Sequence, residues 1–243
     1  MPETRDTLSK NSKDVPWYDA ELGDFSAESR ELFEKYSGIA PDRVNGHIQD
    51  IEPESKNTLL DLGCCFAQDI RKLVYDGVPS ENLYACDLRP EYLDLSYDLF
   101  LDKNKMRAKF FSADVFEEPG SLDQLYGKID VIHAASFLHL FGWDDQLRIC
   151  KRLIKILKPR KGSLVFGRQT GNIQGREVPP RTHALKDGAM IWRHDPQSFQ
   201  RLWDIAGRET DTRWKTWVEL LERPGHWAEE GIRRLNFEVE RLE

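Results

Sequence analysis

Between residues 58 and 169, short apolar runs alternate with stretches whose apolar positions recur every three or four residues. TLLDL (58–62), NLYACDL (82–88), AKFFSADV (108–115), KIDVIHAA (128–135) and GSLVFGRQ (162–169) read as buried strands. FAQDIRKLVYDG (66–77), PEYLDLSYDLF (90–100) and WDDQLRICKRLIKILK (143–158) read as helices. Gly77 is a left-handed terminator of the first, Pro90 sits in the first turn of the second, and Pro159 stops the third. Strands alternating with helices over this length predict βαβ units and a mostly parallel sheet. On the N-terminal side, SAESRELFEKY (26–36) predicts a helix capped by Ser26 or Ser29, with Leu32, Phe33 and Tyr36 on one side. Pro41 opens a second helical stretch carrying Val44 and Ile48. On the C-terminal side, residues 198–207 predict a helix. Residues 213–222 and 235–242 predict two strands joined through a turn at Pro224–Gly225. Residues 170–194 are rich in Gly, Pro and Arg and lack a period, as in a lid or binding insertion.

Residues 1–16 are polar and without period and read as a tail. The rest, 17–243, fits one domain. It comprises a helical cap (17–56), a core (57–169), the substrate-side insertion (170–194) and a closing helix and strand pair (195–243). Lys plus Arg number 35 and Asp plus Glu 42, a net charge of −7, and no basic stripe stands out. A duplex-binding protein, whose affinity comes from phosphate contacts, is therefore disfavoured, and no nucleic-acid partner is expected. No apolar run is long enough for a membrane span, and the first twenty residues hold none of signal-peptide length, so a cytoplasmic protein is expected. Cys64, Cys65, Cys86 and Cys150 form no CxxC pair and read as reduced, buried, small apolar residues. No metal is expected.

The chemistry concentrates in TLLDLGCCFAQD. Asp61 ends a strand, Gly63 follows, and a helix begins nearby. A glycine there lets a ligand approach the backbone, and a helix N-terminus suits a carboxylate. The dinucleotide fingerprint G-x-G-x-x-G is missing, which disfavours a nicotinamide-dependent reductase. An acid before the glycine suits an ammonium group. Asp87 ends the second strand, where a carboxylate can accept both hydroxyls of a ribose. Asp114 ends the third, where it can meet an adenine amino group. Each acid alone can equally serve as a turn or helix cap. Three at consecutive strand ends converge on one crevice and fit a ligand with an amine, a diol and an exocyclic amine.

Together with WYDAELGDFSAESRELFEKYSGI, LYACDLRPEYL and FLHLFGW, these segments resemble the class I S-adenosylmethionine-dependent methyltransferases over about residues 57–242. The resemblance is to a fungal group of meroterpenoid and related secondary-metabolite pathways. It implies a Rossmann-like α/β fold with a seven-stranded mixed sheet, the last strand antiparallel, and helices on both faces. It implies S-adenosyl-L-methionine as cofactor, lined by Asp61, Gly63, Asp87 and Asp114, with Leu88 and Val115 flanking the adenosine. Cys64, Phe66 and Ala135 are expected in the same lining, with Tyr36 closing over it from the N-terminal helix. The sequence departs from the usual glycine-rich loop at Ala67. The implied reaction is methyl esterification of a carboxylate on a hydrophobic polyketide–terpenoid intermediate. Alternatives are a phenol or hydroxyl acceptor, a nitrogen or protein acceptor, or a methyltransferase-like subunit without activity.

A carboxylic acid is ionised at pH 7 and needs no base, whereas a phenol benefits from one. The candidates are His139, in the turn after the fourth strand, and His133. The alternative for each is a backbone-bonded turn histidine. His183 and His194 are weaker candidates. Among Arg168, Arg176, Arg181 and Arg193, any one can hold a substrate carboxylate, with Arg168 and Arg193 favoured. Trp143 and Trp192 are expected to wall the pocket of a hydrophobic substrate, while Trp203, Trp214 and Trp217 read as packing residues. The aromatic C-terminal third is compatible with a homodimer.

Overall fold

Strand β1 (Leu59–Leu62) is buried at every position, because both of its faces are covered. In the computed structural model, which describes residues 57–180, 189–222 and 231–243, it lies at the centre of a seven-stranded sheet. The other strands of the sheet are β2 (Leu83–Asp87), β3 (Lys109–Ser112), β4 (Val131–His133), β5 (Leu164–Asn172), β8 (Trp214–Leu221) and β9 (Ile232–Arg241). The order is β3-β2-β1-β4-β5-β9-β8, and β1 to β5 run parallel. β9, the last strand in sequence, runs antiparallel to both β5 and β8. This is the mixed sheet the resemblance implies. A separate two-stranded hairpin, β6 (Arg176–Val178) with β7 (Ile191–Arg193), lies within the 170–194 insertion, where no strand is predicted.

Helices cover both faces. Leu60 and Leu62 point into a core with α3 (Trp143–Ile156) and α4 (Pro196–Glu209), which contributes Phe199, Leu202 and Trp203. Leu59 points the other way, to a smaller core with α1 (Gln68–Tyr75) and α2 (Pro90–Phe100). Alternation along the strand therefore puts Asp61 on the α1 side. Trp203 and Trp214 are buried and stack at 5.4 Å, as their packing role predicts. α4 begins at Pro196, two residues before the predicted start, because Asp195 forms a reciprocal cap with Ser198.

All four cysteines are free thiols. Cys64, Cys86 and Cys150 are buried, but Cys65 is only half-buried, contrary to expectation. Burial pushes the three buried thiols well above their ordinary pKa, which leaves them inert. No helix among the described residues is long and apolar enough to cross a membrane. The predicted N-terminal helices and cap, Tyr36, Arg181, His183 and the Pro224–Gly225 turn lie outside the described residues.

Candidate active site

The loop between β1 and α1 starts from Gly63, whose φ of 73° is left-handed. A Cβ there would stand 2.7 Å from Cδ2 of Phe137, so part of the room at Gly63 is taken by the chain itself. Cys65 and Ala67 are also left-handed, at φ 51° and 49°. Such residues bear a cost of order 1 kcal/mol each. These two turns delay the helix, which starts at Gln68 and not at the predicted Phe66. Ala67 is its N-cap residue and no side chain caps it. Arg71 locks the loop from inside. Its Nη1 donates to the carbonyls of Phe66 (2.9 Å) and Ala67 (3.3 Å), and its Nε and Nη2 grip Asp102 at 2.8 and 2.9 Å.

Parallel register sets Asp61 beside His133 of β4 and Ala85 of β2. His133 Nδ1 and Asp61 Oδ1 lie 2.9 Å apart, and the His133 ring stacks on Phe166 at 4.9 Å. Asp69, the second residue of α1, completes a group: one donor atom from each of Asp61, Asp69 and His133 lies within 4.8 Å of the others. Burial, then the charge of Asp61, pushes the Asp69 carboxyl up to about 7, against the pull of His133 and Arg168. Burial alone would lower the His133 pKa. Its hydrogen bond to Asp61 and the charges of Asp61 and Asp69 outweigh that and raise it. Asp69 is absent from the predicted site. It is in plain view in LDLGCCFAQD, but only the double left-handed turn brings it onto Asp61.

Asp87 closes β2 as predicted. Its Oδ2 accepts Cys65 N–H (2.9 Å) and its Oδ1 accepts Arg89 N–H (3.0 Å). Each oxygen keeps a second lone pair. Asp114 lies two residues past β3, half-buried, and accepts Phe116 N–H at 2.8 Å. Leu88 is exposed, whereas Val115 belongs to the larger core. Cys64 is buried and Phe66 is half-buried, stacked on Tyr92 at 5.5 Å. Ala135 lies in the turn after β4.

His139 falls in a short 3-10 turn (Leu138–Leu140), and Thr170 N–H points at its Nδ1 across a long 3.5 Å. His194 is fully buried and structural. Gln146 donates its amide to the carbonyls of Phe141 and Trp192, so its oxygen accepts from His194 Nε2 at 3.1 Å. Burial pulls the His194 pKa down to about 3, which keeps it neutral. Trp143 and Trp192 meet edge-to-face at 5.0 Å. The predicted arginine cluster is divided. Arg168 faces the Asp69–His133 group, Arg193 is buried in the hairpin, and Arg176 is exposed.

Two family models match the chain. A meroterpenoid methyltransferase N-terminal domain covers residues 17–54, and a methyltransferase domain covers 59–160. The O-methyltransferase atr3 of Stereocaulon alpinum is 37% identical over 281 positions, spanning 100% of this chain and 80% of the relative. The O-methyltransferase phiE of a fungal species is 34% identical over 89% of this chain and 83% of its own length. The asnovolin E/chermesin D methyltransferase nvfJ of Aspergillus novofumigatus is 31% identical over 69% of this chain and 72% of its own. Among solved structures, the N-terminal domain of EvdMO1, with S-adenosylhomocysteine and D-fucose, aligns with a TM-score of 0.56 at 14% identity. That alignment covers 91% of this chain and all of the other. Magnesium protoporphyrin IX methyltransferase from Synechocystis, with S-adenosylmethionine bound, aligns at 0.55 and 13% identity over 92% and 87%.

The donor set fits S-adenosylmethionine. Asp61 and Asp69 suit an ammonium, the uncapped N-terminus of α1 suits a carboxylate, and Asp87 retains acceptor capacity for a diol. The protein belongs to the class I S-adenosylmethionine-dependent methyltransferases, in the group of fungal secondary-metabolite pathways.

Proposed function

We propose that the protein methylates a carboxylate of a small hydrophobic polyketide–terpenoid intermediate and releases the methyl ester. Bound S-adenosylmethionine supplies a sulfonium-borne methyl group for in-line transfer to the carboxylate oxygen. The observation that carries this reading is the match of residues 17–54 to a meroterpenoid methyltransferase N-terminal domain. His133 keeps Nδ1 on Asp61, and Thr170 N–H points at Nδ1 of His139. A carboxylic acid is already ionised at pH 7 and asks no base of either ring.

In this reading Asp61 and Asp69 hold the ammonium of the donor, Asp87 the ribose hydroxyls and Asp114 the adenine amino group. Leu88 and Val115 flank the adenosine, and Gly63, Cys64, Phe66 and Ala135 line the remainder. Trp143 and Trp192 wall the acceptor, Arg193 adds positive charge beside them, and His139 donates to the acceptor oxygen.

Incubation with labelled S-adenosylmethionine and a panel of terpenoid–polyketide acids and phenols tests the proposal. The expected product is an ester that mild base hydrolyses. At saturating donor, its rate of formation is flat from pH 6 to pH 9. A base-stable ether product, or a rate that climbs with pH, would overturn it.

A further inference from the structure

Gln169 is 3% exposed, and neither its amide nitrogen nor its amide oxygen has a hydrogen-bond partner among the described residues. A buried amide offers two donors and an oxygen with two lone pairs, and leaving all of them unmade is costly. Gln169 sits in the carboxyl-end stretch of β5, beyond the last β4–β5 pair (His133 with Phe166). Its neighbours on the same face of the strand are Gly167 and Gly171. A Cβ at Gly167 would stand 2.4 Å from the Ala134 carbonyl, and one at Gly171 would stand 2.7 Å from the His194 carbonyl. Gln169 therefore occupies a fork between the turn that follows β4 and the segment that follows β7.

The same turn grips the chain on both sides of it. Ser136 N–H donates to the Arg168 carbonyl at 2.6 Å, and Thr170 N–H faces His139. Gln169 thus lies past the carboxyl edge of the sheet, on the strand next to the histidine turn, and shares the face of Val165, which borders the larger core, rather than that of Asp61 and His133. Across the sheet it pairs in register with Leu235, so one flank is apolar and dry.

We propose that Gln169 is an acceptor-binding residue: its amide donates to a carboxylate oxygen and its carbonyl accepts from a hydroxyl on the same acceptor molecule. The acceptor class that satisfies both is a hydroxy-carboxylic acid. The proposal rests on the oxygen-acid reading of the acceptor given above.

The test uses the whole protein saturated with S-adenosylhomocysteine. It is titrated calorimetrically with hydroxy-carboxylic acids, from salicylic acid to polycyclic terpenoid acids, each paired with its analogue lacking the hydroxyl. At least one hydroxy acid binds more tightly than its partner. In Gln169→Met, which keeps the length and removes the amide, that acid binds at least tenfold more weakly and the preference for the hydroxyl disappears. S-adenosylhomocysteine affinity stays within twofold. Without ligands the variant melts higher, because an unpaired buried amide has been replaced by an apolar group. The proposal is overturned if no hydroxy acid binds the wild type, if the variant binds acids equally well, or if the variant melts lower. Failure of wild type to bind S-adenosylhomocysteine would instead sink the methyltransferase reading itself.

Discussion

Asp69 titrates near neutrality because burial and the neighbouring Asp61 both oppose its charge. Its folded pKa of about 7 stands above the roughly 3.9 of an unfolded aspartate. Between those values the folded state binds the extra proton, so stability falls as pH rises from 4 to 7, and the whole cost is present above 7. Asp69→Asn removes that cost. The variant is expected to melt about 2–4 °C higher than wild type at pH 8 for each kcal/mol relieved, with little difference at pH 4. Differential scanning calorimetry at the two pH values checks this. A variant that gains as much at pH 4 as at pH 8 would disprove the electrostatic account. The acids at 61, 87 and 114 are legible from sequence because strand ends fall where apolar runs stop. Asp69 is not, because nothing in the local pattern reports that Cys65 and Ala67 turn left-handed and swing the start of α1 over β1.

Arg71 is the element-scale counterpart. It joins α1 to the segment after α2 through Asp102, and it holds the carbonyls of the turn that precedes α1, with its guanidinium 4.4 Å from the Phe100 ring. Removing one partner of such a buried pair strands the other. Arg71→Met is therefore expected to cost about 3–5 kcal/mol in urea unfolding. Arg71→Lys should recover little of it, since an ammonium lacks the planar fork that reaches Asp102 and both carbonyls at once. Full stability in the lysine variant would refute that geometry. The alternation of apolar runs is enough to order strands and helices, because a parallel sheet buries both faces and leaves a plain signature. The hairpin of β6 and β7 escapes such a reading, since three-residue strands contain no full period. Likewise, β5 runs on to Asn172 past its apolar stretch because β9 pairs with it along its whole length.

Across the whole molecule, charge is handled differently at the two ends of the sheet. At the amino end, Asp130 accepts Thr58 N–H at 2.8 Å and pairs with Lys158 and Arg160, each at 2.5 Å. Burial would raise its pKa, but the Lys158 and Thr58 hydrogen bonds overcome this and hold it below the usual carboxylate range. Its contribution is complete above the unfolded pKa near 4 and is lost as pH falls through the lower folded value. Asp130→Asn is accordingly expected to cost about 2–4 kcal/mol at pH 7 and much less at pH 2. Chemical denaturation at the two pH values decides it, and an equal loss at both would refute the ion-pair account. At the carboxyl end the acids are crowded, and burial with the charge of Asp61 pushes the Asp69 carboxyl up to about 7. Stability is thus invested at one edge, while the other edge is left electrostatically dissatisfied, as a site for a cationic donor would be.

The position of β9 has a consequence for biosynthesis. It is the last strand of the sheet to leave the ribosome, yet it belongs between β5 and β8. Until residues 232–241 emerge, β5 and β8 each present a bare margin with no neighbour in the gap, and a nascent chain at that stage is open to adhesion with its own kind. Chaperone cover during that interval is therefore expected to raise the share of chains that reach the folded sheet.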